Sequence, residues 1–364
     1  MSMHVIAGSR LLTRTNMYIV LSMLLTPVGG AALVWNAPPG DANAWLRRQR
    51  RELCLLPFPM GDGLLPGESL QIHLSEPHQI SLFQTALLRF DGCVGQMLER
   101  TVSSEGVKSY CTVAPLLELR EHSRREVGTW CSFTCVGAVQ LSNIELRTAE
   151  EQAALDEAAL SPEAHDEAED EPFLVATASW LHDADASSVD YDSTDDEVAF
   201  LATGVARLHE ECNALRRRAL ELNPDGPLTA SERITTGGER IGPPPPASDR
   251  VEFGYRLGPL IGPYLTLDEL VQLRLDALSV RGVDEAPPAA GQPNRLHELW
   301  GAADGESLRR RLLSFLAVES LHESYRMSAM AIEDTSSRLQ HALTGLEARK
   351  AALAAEVALR RAGT

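Results

Sequence analysis

Residues 53–77, LCLLPFPMGDGLLPGESLQIHLSEP, decide the fold. They open on an apolar run that ends among Pro57 and Pro59, which cannot donate to a strand ladder. Gly61, Gly63 and Gly67, together with Pro66, supply turn chemistry. Leu70, Ile72 and Leu74 then alternate with Gln71, His73 and Ser75, the period of a half-buried strand. Ser75 suits a helix N-cap and Pro77 a first helical position. Ile80, Phe83, Leu87 and Leu88 follow at helical spacing. Strand, loop, strand and amphipathic helix are expected in quick succession.

Outward from there, residues 93–98, 109–119 and 126–140 read as further strands between Gly- and Ser-rich breaks. Residues 149–171 are an acidic, Ala-rich insertion with too few aromatic or β-branched side chains to offset the entropy of ordering; a solvated loop is expected. Val198, Leu201, Val205, Leu208, Cys212, Leu215, Ala219 and Leu222 step by three and four. The Thr194/Glu197 pair marks the start of that helix and Asn223, Pro224 and Gly226 its end. Pro/Gly-rich linkers at 224–265 and 281–294 flank a Leu-rich helix capped by Thr266 and Glu269. Helical regions at 305–324 and 327–361 close the chain. In the second, Ile332, Leu339, Leu346 and Leu353 recur every seven residues. That spacing fits packing inside the chain's own bundle or, as an alternative, a coiled-coil seam. The expected organisation is a β-rich unit at 51–193 and a mainly helical region at 194–362.

The opening stretch resembles the N-terminal, substrate-binding domain of the Lon protease family. The pattern of that family is a proline-bounded apolar strand, a P-G-E turn and a strand ending in E-P. Here those are Pro57, Phe58 and Pro59; Pro66, Gly67 and Glu68; and Ile72, His73, Leu74, Glu76 and Pro77. His78 and Gln79 stand where the family has an arginine and an aromatic, so a contact made by that arginine is not carried over. Residues 127–141, VGTWCSFTCVGAVQL, look like the family's strand carrying a V-G-x-x-x-L turn at Gly137, and PFLVATASW at 172–180 is a third match. The likeness spans about residues 53–200, and the closing helices resemble the helical part of stand-alone, plastid-type members. It implies an α+β fold, a PUA-like β pseudo-barrel followed by a mainly α-helical bundle. It also implies a surface for polypeptide clients or a protein partner, shaped by Pro57, Phe58, Pro59, Pro66, Gly67, Glu68, His73, Glu76, Pro77 and Gly137, with no cofactor.

Charge and composition narrow the function. The net charge is −18, but residues 150–171 hold ten carboxylates and no Lys or Arg, and residues 183–197 hold seven more. With no basic stripe, nucleic acid is not expected as a partner. Lysine occurs only as Lys108 and Lys350, and no Gly-Lys dipeptide exists, so there is no P-loop and no setting for a Lon-type Ser/Lys peptidase. His209-Glu210 and His297-Glu298 start like H-E-x-x-H and lack the second histidine; G-x-S-x-G does not occur. The six cysteines form no C-x-x-C pair and read as core thiols. Glu68 and Glu76 fit either a contact to bound peptide or, more simply, a turn and a helix N-terminus. His73 shares a side with Gln71 and Ser75 and is expected to be at least half exposed.

Arg10 and Arg14 precede a largely apolar run at 17–35, followed by Arg47, Arg48, Arg50 and Arg51 in an acid-poor setting. Residues 1–50 read as a signal-plus-transit address for a plastid, with secretion or a membrane anchor as alternatives. The fold is expected to begin after them. The combined expectation is a non-enzymatic polypeptide-binding module, an adaptor in plastid protein quality control or proteolysis. The alternative is a structural or assembly factor, homo-oligomeric through its C-terminal helices; an unrecognised hydrolase ranks last.

Overall fold

The structure, a computed structural model, describes residues 39–48, 51–101, 108–124, 127–148, 151–152, 172–181, 191–222, 256–257, 266–279, 295–300 and 304–363. The apolar run at 17–35, expected to act in targeting, and most of the acidic insertion and linkers lie outside these residues. No helix among the described residues is long and apolar enough to cross a membrane.

Strands β1 (Glu52–Pro59), β2 (Ser69–Leu74), β3 (Cys93–Thr101), β4 (Lys108–Tyr110), β5 (Val113–Arg124), β6 (Thr129–Arg147) and β7 (Phe173–Trp180) form one largely antiparallel sheet, and β1 with β3 is its parallel pair. Five of them pair in a circuit: β1 with β3, β3 with β5, β5 with β6, β6 with β7, and β7 with β1. Leu53, Leu55, Val94, Leu116, Phe133 and Val175, all buried, supply the core. Helix α2 (Pro77–Arg89) adds Leu82, Phe83 and Ala86. Its N-cap is Glu76 rather than Ser75: the Gln79 side chain accepts from Ser75 N (3.3 Å) and Glu76 N (3.5 Å), which carries the helix start one residue on. Leu88, read as inward, is 56 % exposed.

The two prolines expected to stop β1 lie within it. Beyond Leu55 that strand pairs with β3 and no longer with β7. Pro57 and Pro59 are two residues apart, so both point their missing N–H to the unpaired side, where nothing is lost. The expected turn at Gly137 is also strand. Val136 is an extra residue, because Leu116 pairs with Gly137 and Leu117 with Cys135. A bulge leaves one group out of the ladder, and the indole N–H of Trp300 donates to the Val136 carbonyl at 2.9 Å. Arg120 is the second extra residue, on β5, and its guanidinium donates to Ala277 O at 3.3 Å.

Two short helices were not legible. Helix α1 (Ala42–Leu46) falls within residues set aside as an address, yet Trp45 is fully buried and its Nε1 donates to Glu52 O at 2.9 Å. Asp41 caps it, accepting from Asn43 N and Ala44 N. The fold therefore begins before residue 51. The long helix α3 (Tyr191–Leu222) starts ahead of Thr194, which sits in its first turn. The two-residue strand β8 (Arg256–Leu257) returns from the linker to pair with β2. Helix α4 (Leu267–Ser279) has the expected Thr266/Glu269 box, with Thr266 N donating to Glu269 Oε2 at 2.8 Å. Helix α5 (Arg295–Trp300) is the second unexpected one. The last two expected regions resolve into three helices, α6 (Gly305–Leu316), α7 (Glu323–Ala331) and α8 (Thr335–Gly363). Asp334 makes the break, since its carboxylate accepts from Ser337 N at 2.6 Å and caps α8.

That break removes Ile332 from the heptad series. Leu339, Leu346 and Leu353 remain and are buried along α3, which runs beside α8 in the same direction. Gly204 faces Leu343, Glu211 meets Lys350 at 2.5 Å, and Arg360 donates to Ala219 O at 2.7 Å. The seam is occupied within the chain. His209 is buried in this pair, and burial, with help from the Arg349 charge, pulls its pKa from 6.5 down to about 4. The unfolded chain therefore takes up this proton first as pH falls, and stability drops between pH 6.5 and about 4 and levels off below. A loss of about 3 kcal/mol follows from a shift of that size. His209→Leu should remove that part of the slope in urea midpoints measured across this range.

One carboxylate ties several elements together. Glu118, fully buried on β5, accepts from Ala42 N (2.9 Å) and from Arg295 of α5 (2.5 Å), and lies 3.4 Å from Arg120.

Candidate functional site

The P-G-E turn is joined to β6: Gly67 N donates to Cys135 O at 2.8 Å and Cys135 N to Glu68 O at 2.9 Å. Gly67 sits at φ +83°, and a Cβ there would lie 2.8 Å from Cδ of Arg274. Glycine is required both by the backbone and by the approach of α4. Glu68 is 4 % exposed. Its Oε2 accepts from Leu65 N (2.8 Å) and from Arg326 of α7 (2.7 Å). Arg326 also donates to Gly63 O (3.2 Å), while Arg274 donates to Gly67 O (2.8 Å) and Glu319 Oε1 (3.0 Å). Two arginines from the helical half thus clasp the turn. A carboxylate with these partners holds the two halves together and does not face an external peptide, which corrects the binding reading of Glu68.

The other motif residues do not converge either. Phe58, Pro66 and Gly137 are buried; Gly137 leaves room for the Trp180 ring, which a Cβ would meet at 2.1 Å. Pro57, Pro59 and Pro77 are exposed. Glu76 is half-buried at the α2 cap, 3.3 Å from His78 Nε2. His73 is half-buried, its ring stacked on Trp130 with centroids 5.3 Å apart and its Nε2 2.7 Å from Val127 O. Five of the ten residues, Phe58, Pro66, Gly67, Glu68 and Gly137, therefore offer no surface. His73 with Trp130 and the exposed Val127 does.

A second surface was missed by sequence reasoning. β5 pairs with β6 as far as Gln140 and β7 pairs with it from Val139 on, so from Ser142 onward its strand neighbour among the described residues is β7. Residues 142–146 are all exposed, with Ile144 at 40 % and Leu146 at 65 %. A further bulge sits here, since Ser142 pairs with Thr177 and Glu145 with Val175, and Asn143 takes the left-handed conformation at φ +49°. Bulges of this kind end pairing and re-aim side chains at sheet edges. Arg147 anchors the strand just beyond, reaching Glu52 of β1 at 3.1 Å and Gln152 at 2.8 Å. The available signal was the run S-N-I-E-L, in which an asparagine interrupts an apolar strand.

No family model matches the chain. No curated protein matches it either. Among solved structures it is similar to the N-terminal domain of a Mycobacterium avium complex Lon protease, at a TM-score of 0.29 and 14 % identity. The match covers 52 % of this chain and 83 % of that one, a distant structural resemblance.

Burial pushes the thiols of Cys54, Cys93, Cys131 and Cys135 up, which keeps them protonated and unreactive. Among the described residues no group of three or more His, Cys, Asp or Glu is placed to hold a metal ion. His209, the start of the incomplete H-E-x-x-H, is buried in the α3–α8 pair.

Proposed function

We propose that the chain is a non-enzymatic polypeptide-binding module whose five-strand circuit is a PUA-like pseudo-barrel of the Lon N-terminal kind. It holds extended or partly unfolded segments along exposed strand edges. The observation that carries this reading is the one-sided end of β6, where Ile144 and Leu146 stand exposed beside an open ladder. Proteins blunt such edges unless they use them, and strand addition combines backbone bonds with apolar contacts from alternate side chains. The motif likeness at residues 53–77 supports the same assignment, and the N-terminal address suits work in a plastid as an adaptor for quality control or proteolysis.

The test is retention of a reduced, alkylated and permanently unfolded protein by the purified full chain, followed by photo-crosslinking. Retention is expected without ATP or peptide hydrolysis. Ile144→Lys with Leu146→Asp should weaken it about tenfold, the equivalent of losing one buried aliphatic contact. Equal retention of folded and unfolded probes, or turnover of either substrate, would overturn the proposal.

A further inference from the structure

Another edge that the described residues leave partly open belongs to β2, and the chain already shows what fits it. On its inner side β2 pairs with β6 along its whole length, from Ser69 opposite Thr134 to Leu74 opposite Thr129. On its outer side, β8 covers two positions: Leu257 lies opposite Ser69 and Arg256 opposite Leu70, antiparallel. Residues 71–74 have no strand on that side among the described residues.

Those two pairs fix direction and register for any strand that lies along this edge. Opposed residues of an antiparallel pair share a face. Three positions, opposite Ser69, Gln71 and His73, therefore lie on the face that carries Thr134, Ser132 and Trp130. An incoming side chain opposite His73 meets the His73–Trp130 stack, bordered by Val127, which is 66 % exposed. Positions opposite Leu70, Ile72 and Leu74 turn to the side where those residues join the core.

We infer that the outer edge of β2 is a docking strip for an extended polypeptide segment, added antiparallel in the register set by Arg256–Leu257. An apolar or aromatic residue of the segment lies against His73 and Trp130, and the chain's own β8 competes for the first two positions. The inference rests on the polypeptide-binding reading and names a site, an orientation and a side-chain preference within it.

The probe is the synthetic peptide Val-Glu-Phe-Gly-Tyr-Arg-Leu. Its last two residues match β8, and the same register places its phenylalanine opposite His73. Binding to the full chain is read by fluorescence anisotropy. Successive backbone N–H groups of a strand point to opposite sides, so two versions N-methylated at alternate residues, in the two phases, separate strand addition from simple adhesion. One phase should lose about tenfold or more and the other should bind like the parent peptide. Replacing β8 by R256P/L257P, which removes its donors, should tighten peptide binding by roughly threefold or more, because the free fraction of the edge rises. Equal loss in both phases, or equal affinity of the natural chain and R256P/L257P, would overturn the inference. Retention of unfolded protein with no peptide binding would overturn it while leaving the polypeptide-binding reading intact; loss of both would end both.

Discussion

Glu118→Ala is expected to lower the stability of the chain by about 3–5 kcal/mol, the usual cost of removing one partner from a buried ion pair. The carboxylate is fully buried and holds Arg295, Arg120 and the backbone N–H of Ala42. Without it the buried guanidinium groups of Arg295 and Arg120 lose this carboxylate, and Ala42 N at the start of α1 loses its acceptor on β5. Urea unfolding should show a lower midpoint. Glu118→Gln keeps an acceptor for Ala42 N and removes the charge, so it should fall between the natural chain and the alanine variant. If Glu118→Ala unfolds at the same midpoint as the natural protein, the Glu118 cluster does not join these elements.

The clasp on the P-G-E turn gives a prediction of similar size with a sharper internal check. Arg326→Met leaves Glu68 buried without its 2.7 Å guanidinium partner, Leu65 N still donating to it, and Glu68→Leu leaves Arg326 buried beside Gly63 O. Each should cost about 3–5 kcal/mol. The double variant replaces both charges by apolar groups, so it should cost less than the sum of the two by about 1–3 kcal/mol. Additivity of the two single effects would mean that the 2.7 Å contact carries no coupling between the β unit and the helices.

The sequence was most legible where periodicity meets local cap chemistry. The alternation of Leu70, Ile72 and Leu74, the start of α2 at Pro77, and the Thr266/Glu269 box all specify structure within a few residues, and each appears at its expected place to within one position. The errors came from long-range effects. Helix α1 is short, and its ties lie outside it: Trp45 Nε1 donates to Glu52 O on β1, and Ala42 N donates to Glu118, 76 residues away. Pro57 and Pro59 fit within β1 because β7 stops pairing at Leu55, a fact of topology. Glu68 had two local readings, and the partner that decides between them, Arg326, lies 258 residues away. The exposed end of β6 was illegible for the same reason, since exposure there depends on where β5 begins, at Val113 opposite Gln140.

The bulges in β6 set a limit on how this strand can change length. Val136 and the residue inserted after Ser142 each reverse the in–out parity of everything downstream relative to the neighbouring strands. Deleting Val136 would remove this irregularity from the ladder with β5 and, in the same stroke, rotate Val139 and Leu141 out of the core or force the ladder to slip. Backbone bonding and burial cannot both survive such a deletion. Insertions and deletions should therefore be excluded from this strand even at positions that accept many substitutions.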